Sequence, residues 1–215
     1  MKVPVVGILL LTLFTFNNAR VITHDHDHES YSNSDEETLI RRYFAEQYRL
    51  LRQEEDVTFT EDFRKFQNDS LVVHNTLRAH HCVPPLELDE EINIKSQIYA
   101  NHLASTDSPL IHSTNRGSRF GENLYSLTRK SPIANISAEK IVLTWYAEIE
   151  FYDYSKPAYK MSTGHFTQIV WKDTRKMGVG YAFGREGRKV YIVAQYEPPG
   201  NYRHRFGKNV LEPKC

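Results

Sequence analysis

From Glu61 onward the spacing of apolar residues switches once, from a three-to-four repeat to a repeat of two, so helices are expected first and strands after them. Residues Glu61 to His81 present Phe63, Phe66, Leu71, His74 and Leu77 at helical spacing, and Pro84-Pro85 ends that element because a proline ring disfavours helix in the residue before it. Asp89 is placed to cap a second helix with Ile92, Ser96, Tyr99 and Leu103 in register. Ser137 is placed to cap a third, with Ile141, Val142, Trp145 and Ile149 inward. Strands are predicted over Phe166 to Trp171, Val179 to Phe183 and Val190 to Tyr196. The last two are joined by Gly184-Arg185-Glu186-Gly187-Arg188, whose glycines tolerate the positive φ of a hairpin loop. Helices followed by strands specify an α+β fold with an antiparallel sheet.

The residues before this block differ in kind. Lys2 precedes an apolar run from Val5 to Phe16, too short for a bilayer-spanning helix of about 20 residues, and the segment 1–19 reads as a secretory signal peptide with Ala19 at the cleavage point. Residues 20–37 follow as an acidic, His-rich linker. Its alternation His24-Asp25-His26-Asp27-His28-Glu29 offers imidazoles to a transition metal, although so short and polar a tract reads first as solvated chain. Residues 38–58 form an extension in which Thr38 to Gln53 is an amphipathic helix, with Leu39, Ile40, Tyr43, Phe44, Leu50 and Leu51 at helical spacing and Arg41, Arg42, Arg49 and Arg52 on the polar side. Such a helix either docks on the main domain, residues 59–215, or makes peripheral contact with an anionic membrane surface through residues 38–53.

Charge and cysteine content narrow the function classes. The 27 basic and 27 acidic residues cancel, leaving no positive excess of the kind that displaces counterions from a polyanion, so nucleic acid is not an expected partner. Secretion permits disulfides, yet Cys82 and Cys215 are the only cysteines; they allow one intrachain bond, two free thiols or an intermolecular link. Asn68-Asp69-Ser70 and Asn135-Ile136-Ser137 are glycosylation sequons, so Asn68 and Asn135 are candidate acceptors.

Four ordered motifs carry a family resemblance. Gly164-His165-Phe166-Thr167-Gln168-Ile169-Val170-Trp171-Lys172-Asp173-Thr174 is similar, residue for residue, to the first signature of the CAP superfamily of cysteine-rich secretory, antigen 5 and pathogenesis-related 1 proteins. Tyr191-Ile192-Val193-Ala194-Gln195-Tyr196-Glu197-Pro198-Pro199-Gly200-Asn201-Tyr202 approaches the second. His74-Asn75-Thr76-Leu77-Arg78 and Gly121-Glu122-Asn123-Leu124 agree in kind and order. Ala194 stands where many members carry a cysteine, and the chain most resembles the cysteine-poor, Golgi-associated pathogenesis-related-1 type. Relatives of that type lack a signal peptide, a departure at the amino terminus.

The resemblance implies a three-layer α-β-α sandwich around a mainly antiparallel sheet. It also implies that His112, Glu122, Glu148 and His165 gather as the family's tetrad. Two imidazoles flanked by carboxylates can hold Zn2+ or another divalent cation, the carboxylates orienting the rings or completing the shell through water. The other reading is a hydrogen-bonded polar cluster bracing sheet against helices. His74, Asn75, Arg78 and Asn123 are expected to tie elements to neighbouring backbone, Trp145 and Trp171 to be core, and the loop residues Tyr152, Tyr154 and Tyr159 to rim a groove. Neither cysteine lies in a tetrad motif, and two histidines hold a metal loosely beside the three protein ligands usual at catalytic zinc, so turnover is not indicated. The expected function is a secreted binding protein for a lipid, a sterol or a protein partner. Its rivals are a metal-dependent hydrolase with Glu122 or Glu148 as base and a membrane-associating structural protein.

Overall fold

The computed structural model describes residues 38–43, 45, 57–114, 116–117 and 119–214. The expected signal peptide, the expected acidic linker, the greater part of the expected 38–53 helix and Cys215 lie outside these residues. Residues 38–43 are helical, with Leu39, Ile40 and Tyr43 exposed. No helix among the described residues is long and apolar enough to cross a membrane.

The main domain begins with α1 (Glu61–His80), which Thr60 caps by accepting from the Phe63 amide. Strand β1 (Glu87–Leu88) leads into α2 (Glu90–Ser105), capped by Asp89 through the Ile92 amide. Then come β2 (Gly121–Thr128), α3 (Ala138–Tyr146) with Ser137 as its cap, and a 3-10 turn over Ala147–Phe151. A second 3-10 turn, Met161–Thr163, opens into α4 (Gly164–Ile169), followed by β3 (Lys176–Gly184), β4 (Lys189–Glu197) and α5 (Phe206–Asn209). The sheet order is β1-β3-β4-β2; β4 pairs antiparallel with both neighbours, and only the two-residue β1 runs parallel to β3.

Alternation along β4 builds the layers. Val190, Ile192, Ala194 and Tyr196 face one core with residues of α1, α3 and α4, while Tyr191 and Val193 face a smaller one with Ala100, Leu103 and Leu124 under α2. Both faces of β4 are therefore apolar, and the sheet lies between helices as the α-β-α sandwich requires. Beyond Met177, β1 is too short to pair with β3, so α1 and α2 cover that edge with side chains. Asn93 accepts from the Val179 amide at 3.0 Å, Gln67 donates to the Val179 carbonyl at 3.3 Å, and Gln97 both accepts from and donates to Tyr181 backbone at 3.0 and 2.7 Å.

One expected strand is corrected. Most of Phe166 to Trp171 is helical, within α4, and its apolar residues are buried on every side, a pattern that periodicity over so few positions cannot distinguish from a buried strand. At the other end of the fold, Cys82 is disulfide-bonded, and the Lys214 amide donates to His80 O at 3.0 Å, which brings the C-terminal segment against the end of α1.

His74 makes stability depend on pH. Fully buried in α1, it donates from Nδ1 to Ser70 O at 2.7 Å and accepts at Nε2 from the Tyr196 hydroxyl at 2.9 Å. Burial first, and then the charge of Arg78, lower its pKa from 6.5 to about 4. Between those values the unfolded chain binds a proton that the folded chain refuses, so stability falls as pH falls through that window, by about 3 kcal/mol in full. Denaturant titrations across that range are expected to show this loss, and His74→Gln to flatten it. An equal slope in the variant would remove His74 as the cause.

Candidate functional site

The edge strand β2 organises the site because its successive residues point to opposite faces. Glu122 shares the α2 side with Leu124; Asn123 faces the α1 side, where its amide donates to the Tyr196 hydroxyl at 3.3 Å and to His165 O at 3.2 Å. Two His–Glu pairs are attached on either side of this step.

The first pair joins the sheet to the segment between α2 and β2. That segment is held by the Tyr99 hydroxyl, which donates to Ile111 O at 2.5 Å. His112 Nδ1 donates to Glu122 Oε1 at 2.8 Å, beside the Ser113 amide at 2.9 Å, and Gln195 Nε2 donates to Glu122 Oε2 at 2.9 Å. Burial works to raise the Glu122 pKa, but the bonds from His112, Ser113 and Gln195 together outweigh it and hold the carboxyl below the usual range. Glu122 is thus an ionised, acceptor-only group, which fixes the proton of His112 on Nδ1.

The second pair joins the turn after α3 to α4. Glu148 Oε1 accepts from His165 Nδ1 at 2.7 Å, and Oε2 accepts from the backbone amides of His165 and Phe166 at 2.8 and 3.2 Å. Thr163, at the N-cap position of α4, makes no side-chain capping bond, so a carboxylate from another element satisfies the helix start. Trp145 stacks on the His165 ring at a centroid distance of 6.0 Å, and its Nε1 donates to Leu124 O at 3.1 Å on the free edge of β2. Trp145 is core, as its periodicity indicates, and also a wall of the site.

Both pairs leave the imidazole Nε2 without a protein partner among the described residues. The His112 and His165 side chains are 36% and 33% exposed, whereas Glu122 is fully covered and Glu148 is 20% exposed. The structure therefore sorts the four residues into outward rings and inward carboxylates that orient them. Among the described residues, no three His, Cys, Asp or Glu side chains converge on one metal-sized point.

The remaining sequence candidates fall around this centre. Asn75 clamps Leu86 through two backbone bonds of 2.7 and 3.0 Å. Arg78, also in α1, is buried and donates to the carbonyls of Pro84, Ile169, Trp171 and Thr174. Asn68 and Asn135 are exposed. The aromatic rim is corrected at Tyr152, which is 8% exposed and packs edge-on against Phe166 because the turn after α3 folds it inward, and in part at Tyr154, half-buried against Tyr152 with its hydroxyl buried, while Tyr159 remains exposed. Gln195 and Ser113 escaped the sequence reading. A lone amide within the apolar run Tyr191 to Tyr196 was the available signal, since a polar side chain in a buried strand needs a partner.

Comparison with known proteins agrees with this architecture. The pattern of the family described as "CAP: Cysteine-rich secretory protein family" matches residues 71–196. Golgi-associated plant pathogenesis-related protein 1 of Homo sapiens is 41% identical over 159 residues, covering 70% of this chain and 96% of that protein. Pathogenesis-related protein 1A of Nicotiana tabacum is 35% identical over 139 residues, covering 64% and 77%. Among solved structures, BmVAL-1 matches with a TM-score of 0.61 at 20% identity over 74% of this chain and 87% of that one. NaASP2 with Zn2+ matches with a TM-score of 0.53 at 22% identity over 74% and 90%. In fold and in motif order alike, the chain belongs to the CAP family of cysteine-rich secretory proteins.

Proposed function

We propose that this chain is a secreted CAP-domain binding protein that presents the Nε2 atoms of His112 and His165 to a divalent cation such as zinc and does not turn over substrate. The observation that carries the reading is that all four oxygens of the two carboxylates already accept from protein groups. Glu122 takes three hydrogen bonds and Glu148 three, all from protein groups. A general base needs a lone pair aimed at a substrate proton, and here the lone pairs orient imidazoles instead. The hydrolase reading is correspondingly weakened.

The donor set fits a borderline ion. Two neutral imidazoles suit zinc, copper or nickel, and a carboxylate behind each ring raises its basicity. A bound ion would supply positive charge and open coordination positions for a polar group of a lipid, sterol or protein ligand. The zinc in the NaASP2 structure is consistent with this use of the fold. Secretion rests on the apolar leader and on the family's secretory members.

Thermal unfolding with and without zinc tests the proposal. Zinc at 100 times its Kd is expected to stabilise the wild type by about 3 kcal/mol, and the double variant His112→Ala/His165→Ala to show no zinc-dependent shift. Glu122→Gln is expected to weaken zinc binding by about tenfold or more, through loss of ring orientation. An undiminished shift in the double variant would refute the site.

A further inference from the structure

Away from the His/Glu pairs, the outer face of α1 and the segment 134–139 that leads into α3 enclose an open groove of about 830 Å3. Tyr181 and Phe183 of β3 line it together with Val72, and Asp62, Lys65 and Ser137 add polar groups. Val72 is 63% exposed and Phe183 42%, apolar surface that nothing in the described chain covers. Asn135 belongs to the lining itself, lies in irregular backbone, is exposed, and begins the sequon Asn135-Ile136-Ser137. Asn68, the other sequon asparagine, is exposed but lies outside the groove lining, within α1, and its Ser70 hydroxyl is buried against Phe66 O at 2.8 Å.

We infer that the groove seats an N-linked glycan carried on Asn135, with sugar rings against Val72 and Phe183 and sugar hydroxyls against Asp62, Lys65 and Ser137. The occupant is tethered at the groove's own wall, and a carbohydrate offers both chemistries that the lining presents: flat C–H faces for apolar side chains and hydroxyls for polar ones. Attachment uses a polyisoprenyl diphosphate-linked oligosaccharide as co-reactant. Asn135 Nδ2 attacks the anomeric carbon, the bond from that carbon to the diphosphate oxygen breaks, the C–Nδ2 bond forms, and one amide proton leaves with the diphosphate. The inference rests on the secretory reading given above.

The test is the full chain, with its own amino terminus, produced in a eukaryotic secretory cell and compared with Asn135→Gln, Asn68→Gln and Phe183→Ala by glycopeptide mass and amide hydrogen exchange. The expected result is a glycan on Asn135, with exchange in residues 65–73 and 134–137 rising about threefold or more in Asn135→Gln and unchanged in Asn68→Gln. Phe183→Ala should keep the glycan and lose the protection. Occupancy at Asn68 alone, or an occupied Asn135 with exchange equal to that of Asn135→Gln, overturns the inference and leaves secretion standing. A chain retained in the cell with both sequons bare overturns both.

Discussion

Arg78→Ala is expected to lower the unfolding free energy by about 4 kcal/mol or more, a large share of the 5–15 kcal/mol typical of a domain. The guanidinium is fully buried and reaches four carbonyls: Pro84 at 2.8 Å, Ile169 at 2.8 Å, Trp171 at 2.9 Å and Thr174 at 3.1 Å. Burial, followed by the charge of Arg175, pushes its pKa down to about 9, so the group stays charged at neutral pH without a carboxylate partner. Its stabilisation comes from these carbonyl dipoles, of which Trp171 O also accepts from the Thr174 amide at 3.2 Å and Thr174 O also accepts from Arg175 Nη1 at 3.0 Å. Truncation removes the donor of the Pro84 and Ile169 carbonyls and one of two donors at Trp171 and Thr174, where α1, the end of α4 and the approach to β3 meet. Arg78→Lys is expected to recover only part of the loss, since a point-like ammonium cannot span four acceptors that a planar fork can. Chemical denaturation of the three proteins measures it; a loss below about 1 kcal/mol in the alanine variant would show that water replaces the guanidinium.

Gly178→Ala and Gly180→Ala are each expected to cost about 3 kcal/mol, the upper end of overpacking penalties. An ideal Cβ on Gly178 would lie 2.3 Å from Asn93 N and Ile92 C, and one on Gly180 would lie 2.5 Å from Gln97 Cα and N. These neighbours are backbone, so no rotamer change relieves the clash and α2 has to lift from β3. Lifting also strains the bonds by which Asn93 and Gln97 cover the edge of β3. Gly207→Ala serves as the control, because its Cβ would meet only Pro157 Cγ at 3.4 Å. Melting temperatures within a degree or two of wild type for both strand variants would mean that helix and sheet can separate cheaply.

The elements legible in the sequence are those whose signals are local. Asp89 and Ser137 cap α2 and α3 where a short polar residue precedes apolar periodicity, and β3 and β4 follow their period-two runs. Elements defined by distant partners were not legible. Helix α4 has no capping residue of its own and begins on Glu148, 17 positions upstream, so its apolar residues read as a strand. Strand β1 exists only because Lys176 and Met177 accept two residues beside them. In the site, the tetrad residues were visible through family resemblance. Which carboxylate orients which ring was not, nor was the part of Gln195, which depends on β4 lying beside β2 in the register Glu122↔Gln195.

That register has a consequence for quality control of the fold. Glu122 and Asn123 serve opposite faces of β2, one aligning the His112 ring and the other holding the backbone of His165. A shift of β2 by a single residue against β4 would exchange their faces, sending the carboxylate toward Tyr196 and the amide toward Gln195. Such a misaligned chain would retain every residue of the site and lose both the Glu122–His112 pair and the Asn123 tie to His165 at once. The His112–Glu122 pair is therefore a report on correct strand alignment, and the zinc-dependent thermal shift proposed above would also distinguish correctly aligned molecules from slipped ones.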